Sequence, residues 1–246
     1  MQNKYVGDFG DFGKYALLRY LAQTCLPLGI NWYLTPNESN GNDGRHTSYL
    51  QNDHMIGYED EVFLLLQRLV NEQRRNVKEI ESSGILPTST VYYSRLLDWT
   101  NVTSGDSRSS YRDAWHEQAL EAMMNCDLVF LDPDNGLQVK SVPLTSRKGN
   151  KYIGFHEQQN YIKLGKSVVF YNHRERKQED VYLNKFRNLH SNELIHPTKL
   201  FGIKFSGGTV RDYIFLLQPM HADNVLHACH ELLGSVWHSH FSMLDL

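Results

Sequence analysis

Residues 127–131, Asp-Leu-Val-Phe-Leu, constrain this chain most. The run is short and, after its first residue, continuously apolar, so it reads as a strand covered on both faces. Strands of that kind belong to parallel sheets, and parallel neighbours need a crossover connection, most often a helix. A second such run, residues 166–171, follows a helical pattern near 156–163. Together they predict a βαβ unit and with it an α/β domain.

The rest of the chain keeps the alternation. Residues 11–24 read as a helix with Leu17, Leu18 and Leu21 on one face, and residues 30–34 as a short strand after Gly29. A polar stretch rich in Gly and Asn follows, from Thr35 to about His54. Residues 58–81 predict a long helix with Gly84 as its C′ glycine. Residues 90–93 are a β-rich run, and 110–125 a helix with Ser110 and Asp113 at capping-box spacing. Residues 178–189 predict another helix. Residues 201–205 and 213–217 flank Ser206-Gly207-Gly208-Thr209 and read as a hairpin. The last helix, 221–233, aligns Val225, Leu226, Cys229, Leu232 and Leu233, and Gly234 ends it. No repeat and no linker divides the 246 residues, which suffice for one domain with a full core. The expected fold is a three-layer αβα domain, Rossmann-like, with a mostly parallel sheet and a C-terminal antiparallel hairpin.

Composition excludes several classes. A formal charge of −3 lacks the global positive field of a non-specific DNA coat, although a local basic patch is compatible with it. The three cysteines, Cys25, Cys126 and Cys229, form no CxxC pair, so neither a zinc site nor a disulfide framework is expected. They suit a reducing compartment. Residues 1–5 have no apolar signal core, and no run of 18 apolar residues occurs. A soluble cytoplasmic protein with no membrane partner is the expectation.

Ligand sites in such a sheet lie outside the carboxyl ends of the strands. Three segments fall there. The first is the Thr35–Arg45 stretch, in which Gly41 and Gly44 allow the backbone close to a ligand. The second is Asp132-Pro133-Asp134-Asn135-Gly136. Pro133 biases Asp132 toward an extended conformation, which holds a carboxylate at the strand tip. The third is Tyr171 through Lys177, where His173 suits proton transfer and Arg174 and Arg176 suit phosphate. Solvated turns are the plain alternative for all three. The opening run Tyr5 to Tyr15 adds three Gly, two Asp and a Lys, with Asp11 and Lys14 on one face of a helical first turn. Gly165-Lys166-Ser167 is no phosphate loop, because it precedes a strand and Asn160 stands where that pattern needs Gly.

These segments, in this order, resemble the bacterial large-subunit ribosomal RNA adenine-N6 methyltransferases of the class I S-adenosylmethionine-dependent fold. The opening run matches that family at Gly7, Asp11 and Lys14, and Trp32 through Arg45 looks like its strand and Gly-rich cofactor loop. Tyr92-Tyr93-Ser94 looks like its Tyr-Tyr-Ser strand end, and Asp132-Pro133-Asp134-Asn135 is similar to its Asp-Pro-Pro-Tyr motif. The resemblance implies methyl transfer from S-adenosylmethionine to an amine, on a base of RNA or DNA. It implies a cofactor site of Asp11, Lys14, Asn40, Gly41, Gly44 and Ser94, with Lys14 on the cofactor's carboxylate. It implies catalytic roles for Asp132, Pro133 and Asn135: the Asp132 carboxylate and Pro133 carbonyl accept from the amine and aim its lone pair. A base inside a duplex would first be unstacked. Tyr5, His173 and Arg174 are the expected substrate contacts. Lys140, Arg147, Lys148, Lys151, Arg174, Arg176 and Lys177 are expected to form one positive rim. No resident metal is expected in this reading. The alternatives are a hydrolase or nuclease holding Mg²⁺ on Asp132 and Asp134, or a non-catalytic binding relative of the fold.

Overall fold

The two apolar runs that anchor the sequence reading lie side by side in parallel, with Leu128 opposite Ser167 and Leu131 opposite Phe170. A computed structural model of the chain describes residues 1–38, 43–191 and 198–246. Its strands are β1 (Leu28–Asn31), β2 (Val91–Tyr93), β3 (Leu128–Leu131), β4 (Gly136–Leu137), β5 (Tyr152–Ile153), β6 (Ser167–His173), β7 (Lys199–Gly207), β8 (Thr209–Leu217) and β9 (Phe241–Leu244). The α-helices are α1 (Phe9–Ala22), α2 (Asp60–Asn71), α3 (Val77–Glu81), α4 (Gly105–Ala122), α5 (Phe155–Lys163), α6 (Glu179–His190) and α7 (Pro219–Gly234). Seven strands form one sheet in the order β2-β1-β3-β6-β8-β7-β9, and β4 and β5 pair separately. The pairings from β2 to β6 are parallel and the later ones antiparallel. Only β8 and β9 therefore run against the rest, and the sheet is mixed but mostly parallel. One core holds the side chains of α1, α2 and α7, the other those of α4, α5 and α6, so helices cover both faces.

Several expected boundaries move for identifiable reasons. The expected 30–34 strand leaves the ladder after Asn31, where the Asn31 side chain accepts from the Tyr33 amide and Tyr33 turns to φ +44°. The expected 58–81 helix is broken. Residues 71–76 present no apolar side chain, Gln73 adopts φ +56°, and Asn76 caps a new helix by accepting from the Lys78 amide. The helix expected at 110–125 begins at Gly105 because Ser104, not Ser110, caps it by accepting from the Ser107 amide. The hairpin is longer than expected and turns at Gly208, at φ +71°. Strand β9 and the β4–β5 pair are too short to show a period.

Helix α1 begins where Asp8 accepts from the Gly10 amide. Its first turns are pressed against β7 and β8 so closely that a Cβ on Gly10 would lie 1.8 Å from Arg211 Cζ. That spacing lets a guanidinium lie across the start of the helix. In the sheet, β1 sits between β2 and β3, so the chain leaves β1 on one side and returns on the other. The crevice beyond the carboxyl ends of β1 and β3 is thus the topological switch point. Met1 occupies it: its nitrogen donates to the Tyr33 and Asp132 carbonyls at 3.1 and 2.9 Å, and its carbonyl accepts from the Thr35 amide at 2.8 Å.

Candidate functional site

A cavity of about 230 Å³ opens beside this crevice, and its wall joins the start of α1 to the ends of β3, β6 and β8. Of the residues singled out in the sequence, Tyr5, Asp11, Lys14, Gly44, Asp132, Pro133, Asn135 and His173 line it. Ser94 and Arg174 do not. Ser94 follows β2 outside the cavity wall. Arg174 is taken up by Asp212 at 2.9 Å and Glu179 at 2.9 Å, which hold it against the outer end of β8. Asn40 and Gly41 lie outside the described residues. Asp8, Asp43, His46, Asp134, Tyr171, Thr209 and Arg211 complete most of the wall.

The floor is an ion-pair chain. Lys14 Nζ lies 2.7 Å from Asp132 Oδ2 and 3.1 Å from Asp11 Oδ1, and its third contact is Met1 Sδ at 3.6 Å. Burial would push the Lys14 pKa down, but Asp11 and Asp132 outweigh it and hold the ammonium above its ordinary value. Burial pushes the Asp132 carboxyl up by more than Lys14 and the Met1 nitrogen bring it down. Asp134 goes the other way: its burial is outweighed by the Met1 ammonium 2.8 Å away, and its pKa falls. Arg211 spans Asp8 at 2.7 Å and Asp11 at 3.2 Å. Tyr171 OH and His173 Nδ1 are 3.3 Å apart at the end of β6, and partial burial followed by Arg211 lowers the His173 pKa.

The loop after β3 is held from two sides. The Asn135 amide donates to the Lys151 carbonyl at 2.9 Å, and the Asn135 carbonyl accepts from the His173 amide at 3.3 Å. Asn172 Oδ1 accepts from the Leu137 amide at 2.9 Å, while its Nδ2 donates to Tyr182 OH at 2.8 Å. Gly136, at φ +99°, passes so near that a Cβ there would lie 2.3 Å from Asn172 Oδ1.

A donor count over the four cavity-lining carboxylates whose side chains are at most 5% exposed singles out one atom. Asp8 Oδ1 accepts from the Gly10 amide and Arg211, and Oδ2 from the His46 amide. Asp11 Oδ1 faces Lys14 and Arg211, and Oδ2 accepts from Tyr15 OH. Asp134 Oδ1 faces the Met1 nitrogen, and Oδ2 accepts from Gln2 Nε2 at 2.6 Å. Asp132 Oδ2 has Lys14, yet among the described residues no donor reaches Asp132 Oδ1. Its side chain is only 5% exposed and lines the cavity. That oxygen is not sealed inside the protein but opens onto the cavity, where it is free to accept.

Among the described residues of the expected cofactor site, Lys14 is already engaged. Lys14 has three donors, and all three are spent inside the protein, leaving none for a cofactor carboxylate. A cavity of about 150 Å³ holds a six-carbon ring, so 230 Å³ scales to about nine non-hydrogen atoms held within it, and its mouth is open. None of the seven residues of the expected positive rim lines the cavity, although Lys151 lies 3.7 Å from the lining residue Asp134. Lys151 pairs with Glu38, Arg174 with Asp212, and Lys177 with Glu175. As for the metal alternative, no group of three or more His, Cys, Asp or Glu among the described residues is placed to hold an ion.

Arg211 and His46 were not expected at the site from the sequence, and Asp8 only as a further ligand in the metal alternative. Asp8 alone offered a signal, as an acidic residue at the helix start six positions before Lys14. Among the described residues no helix is long and apolar enough to cross a membrane. In comparisons with known proteins, no family model and no curated protein matches the chain.

Proposed function

We propose that the cavity is the acceptor site of an amine-directed enzyme, in which Asp132 Oδ1 and the Pro133 carbonyl receive the N–H bonds of an amine-bearing substrate. The observation that supports this reading is Asp132 Oδ1, an acceptor that no donor among the described residues reaches, held at the tip of β3 on the cavity wall. An amine supplies the missing donor, and a carboxylate whose pKa is raised by burial accepts strongly from it. The rigid loop, fixed by Asn172 and Lys151, holds acceptor and substrate in one geometry. Methyl transfer is the reaction class that the resemblance implies. An amine acceptor at Asp132 is compatible with that class, and no transfer step is derived through the cofactor.

Asp132→Asn tests the reading. Lys14 selects the carbonyl end of the new amide, which turns its NH₂ toward the cavity and replaces an acceptor by a donor. Calorimetric titration of the full chain with small amines is expected to show saturable binding that falls at least about tenfold in the variant, the scale of one charge-assisted bond. Unchanged binding would refute the assignment. Titration with S-adenosylmethionine decides the reaction class, for which saturable binding is required.

A further inference from the structure

The charge and the walls of the same cavity narrow the substrate class, and this inference rests on the amine reading above. Five carboxylates line it, those of Asp8, Asp11, Asp43, Asp132 and Asp134, against the side chains of Lys14 and Arg211. Counting the Met1 nitrogen as an ammonium leaves two more anions than cations on the lining, and Arg75, which donates to the Gly44 carbonyl just behind it, offsets one of them. Asp43 is exposed at the mouth and has no ion-pair partner among the described residues. Tyr5 and Tyr171 supply ring surface, and burial followed by Asp134 and Asp43 raises the pKa of Tyr5, so its hydroxyl stays neutral in this acidic field. Carboxylates interleaved with aromatic faces attract cations and repel phosphates. A neutral base amine uses the donor-free oxygen but gains nothing from the surplus charge. A polyanion meets it as a barrier.

We infer that the cavity takes the head of an organic cation bearing N–H donors, a primary ammonium or a guanidinium, with one N–H on Asp132 Oδ1. A head of up to about nine non-hydrogen atoms fills the 230 Å³, and the open mouth lets any longer tail remain outside. Such a head belongs either to a free small amine or to a lysine or arginine side chain.

The test is calorimetry on the full chain at matched ionic strength. The probes are n-propylammonium, methylguanidinium, their neutral counterpart N-methylurea, neutral cytosine, inorganic phosphate, and the Nα-acetyl amides of lysine and arginine. Both free cations are expected to bind at least about tenfold more tightly than N-methylurea, and more weakly as salt is added. Asp43→Asn, a surface change, should weaken them about threefold or more while leaving the unfolding midpoint in place. Tighter binding of the acetyl amides identifies a protein side chain as the source of the head, and tighter binding of the free amines a small molecule. Failure of every cation up to about 20 mM, equal binding by N-methylurea, or a preference for phosphate overturns the inference. If cytosine binds and the cations do not, the amine reading stands and this one falls. If neither binds, both fall.

Discussion

Replacing Lys14 by Met removes the one cation between two buried carboxylates while keeping most of the side-chain volume. The losses are unequal. Asp11 retains Arg211 at 3.2 Å and Tyr15 OH at 3.3 Å. Asp132 loses its only side-chain donor, since its other oxygen has none. The Coulomb attraction at 2.7 Å is about 6 kcal/mol at an effective dielectric of 20, but most of it offsets desolvation of the pair. What the variant loses is set by the orphaned Asp132, and breaking a buried pair on one side costs about 3–5 kcal/mol. The sign of the pH dependence follows. Without Lys14 the Asp132 carboxyl rises further above its unfolded value, so the folded state holds the extra proton. The penalty is then largest at neutral pH and shrinks by at least about 1 kcal/mol between pH 7.5 and pH 5. Urea unfolding at both pH values measures it. Adding Asp132→Asn to Lys14→Met removes the orphaned charge and should recover most of the loss, giving a coupling energy of at least about 2 kcal/mol in the double-mutant cycle. A cost below about 1 kcal/mol that is independent of pH, with no recovery in the double variant, would refute the reasoning.

A second buried pair governs acid stability. Burial would raise the Glu157 carboxyl, but Arg112 at 2.6 Å and 2.8 Å outweighs it and brings the pKa to about 2. That depression from 4.5 contributes about 3 kcal/mol, fully present above about pH 5 and lost as pH falls toward 2. Urea titrations at pH 6, 4 and 3 should show the decline, and Arg112→Met should lower stability at pH 6 and flatten it. Gly136→Ala places a Cβ 2.3 Å from Asn172 Oδ1 at φ +99°, so a loss of about 1–3 kcal/mol is expected together with weaker amine binding. Wild-type binding and stability in this variant would show that the loop is not held by Asn172. Gly10→Ala drives its methyl into Arg211 and is expected to cost about 1–3 kcal/mol, whereas at Gly57, with nothing within 4 Å, the same change should stay within about 0.5 kcal/mol. Equal thermal midpoints for the two variants would refute the close-packing account.

The parts of the fold legible in the sequence are those whose physics is local. Leu128–Leu131 and Ser167–His173 could be read as central strands because burial on both faces leaves no polar alternation. The last helix and the Gly208 turn were legible for the same local reasons. The break after Asn71 carried a visible signal, the six polar residues from 71 to 76, which interrupt the flanking apolar period. Tyr33 at φ +44° carried none, because the bend depends on the Asn31 side chain and on burial from both layers. The site divides in the same way. Lys14 and Asp132 could be expected to meet, since a Gly/Asp/Lys helix start and an acidic strand tip both belong at the carboxyl edge of the sheet. Arg211 could not, because it reaches Asp8 and Asp11 only through the register of β8 against β6 and the absence of a side chain at Gly10. That arginine also decides the chemistry. By satisfying Asp11, it leaves Lys14 to neutralise one oxygen of Asp132 and no donor for the other. A donor in that one place would turn the same residues into a closed structural ion pair. What makes them a candidate site is an acceptor left open in a hydrogen-bond count, and residue types along a chain do not carry such a count until the chain is folded.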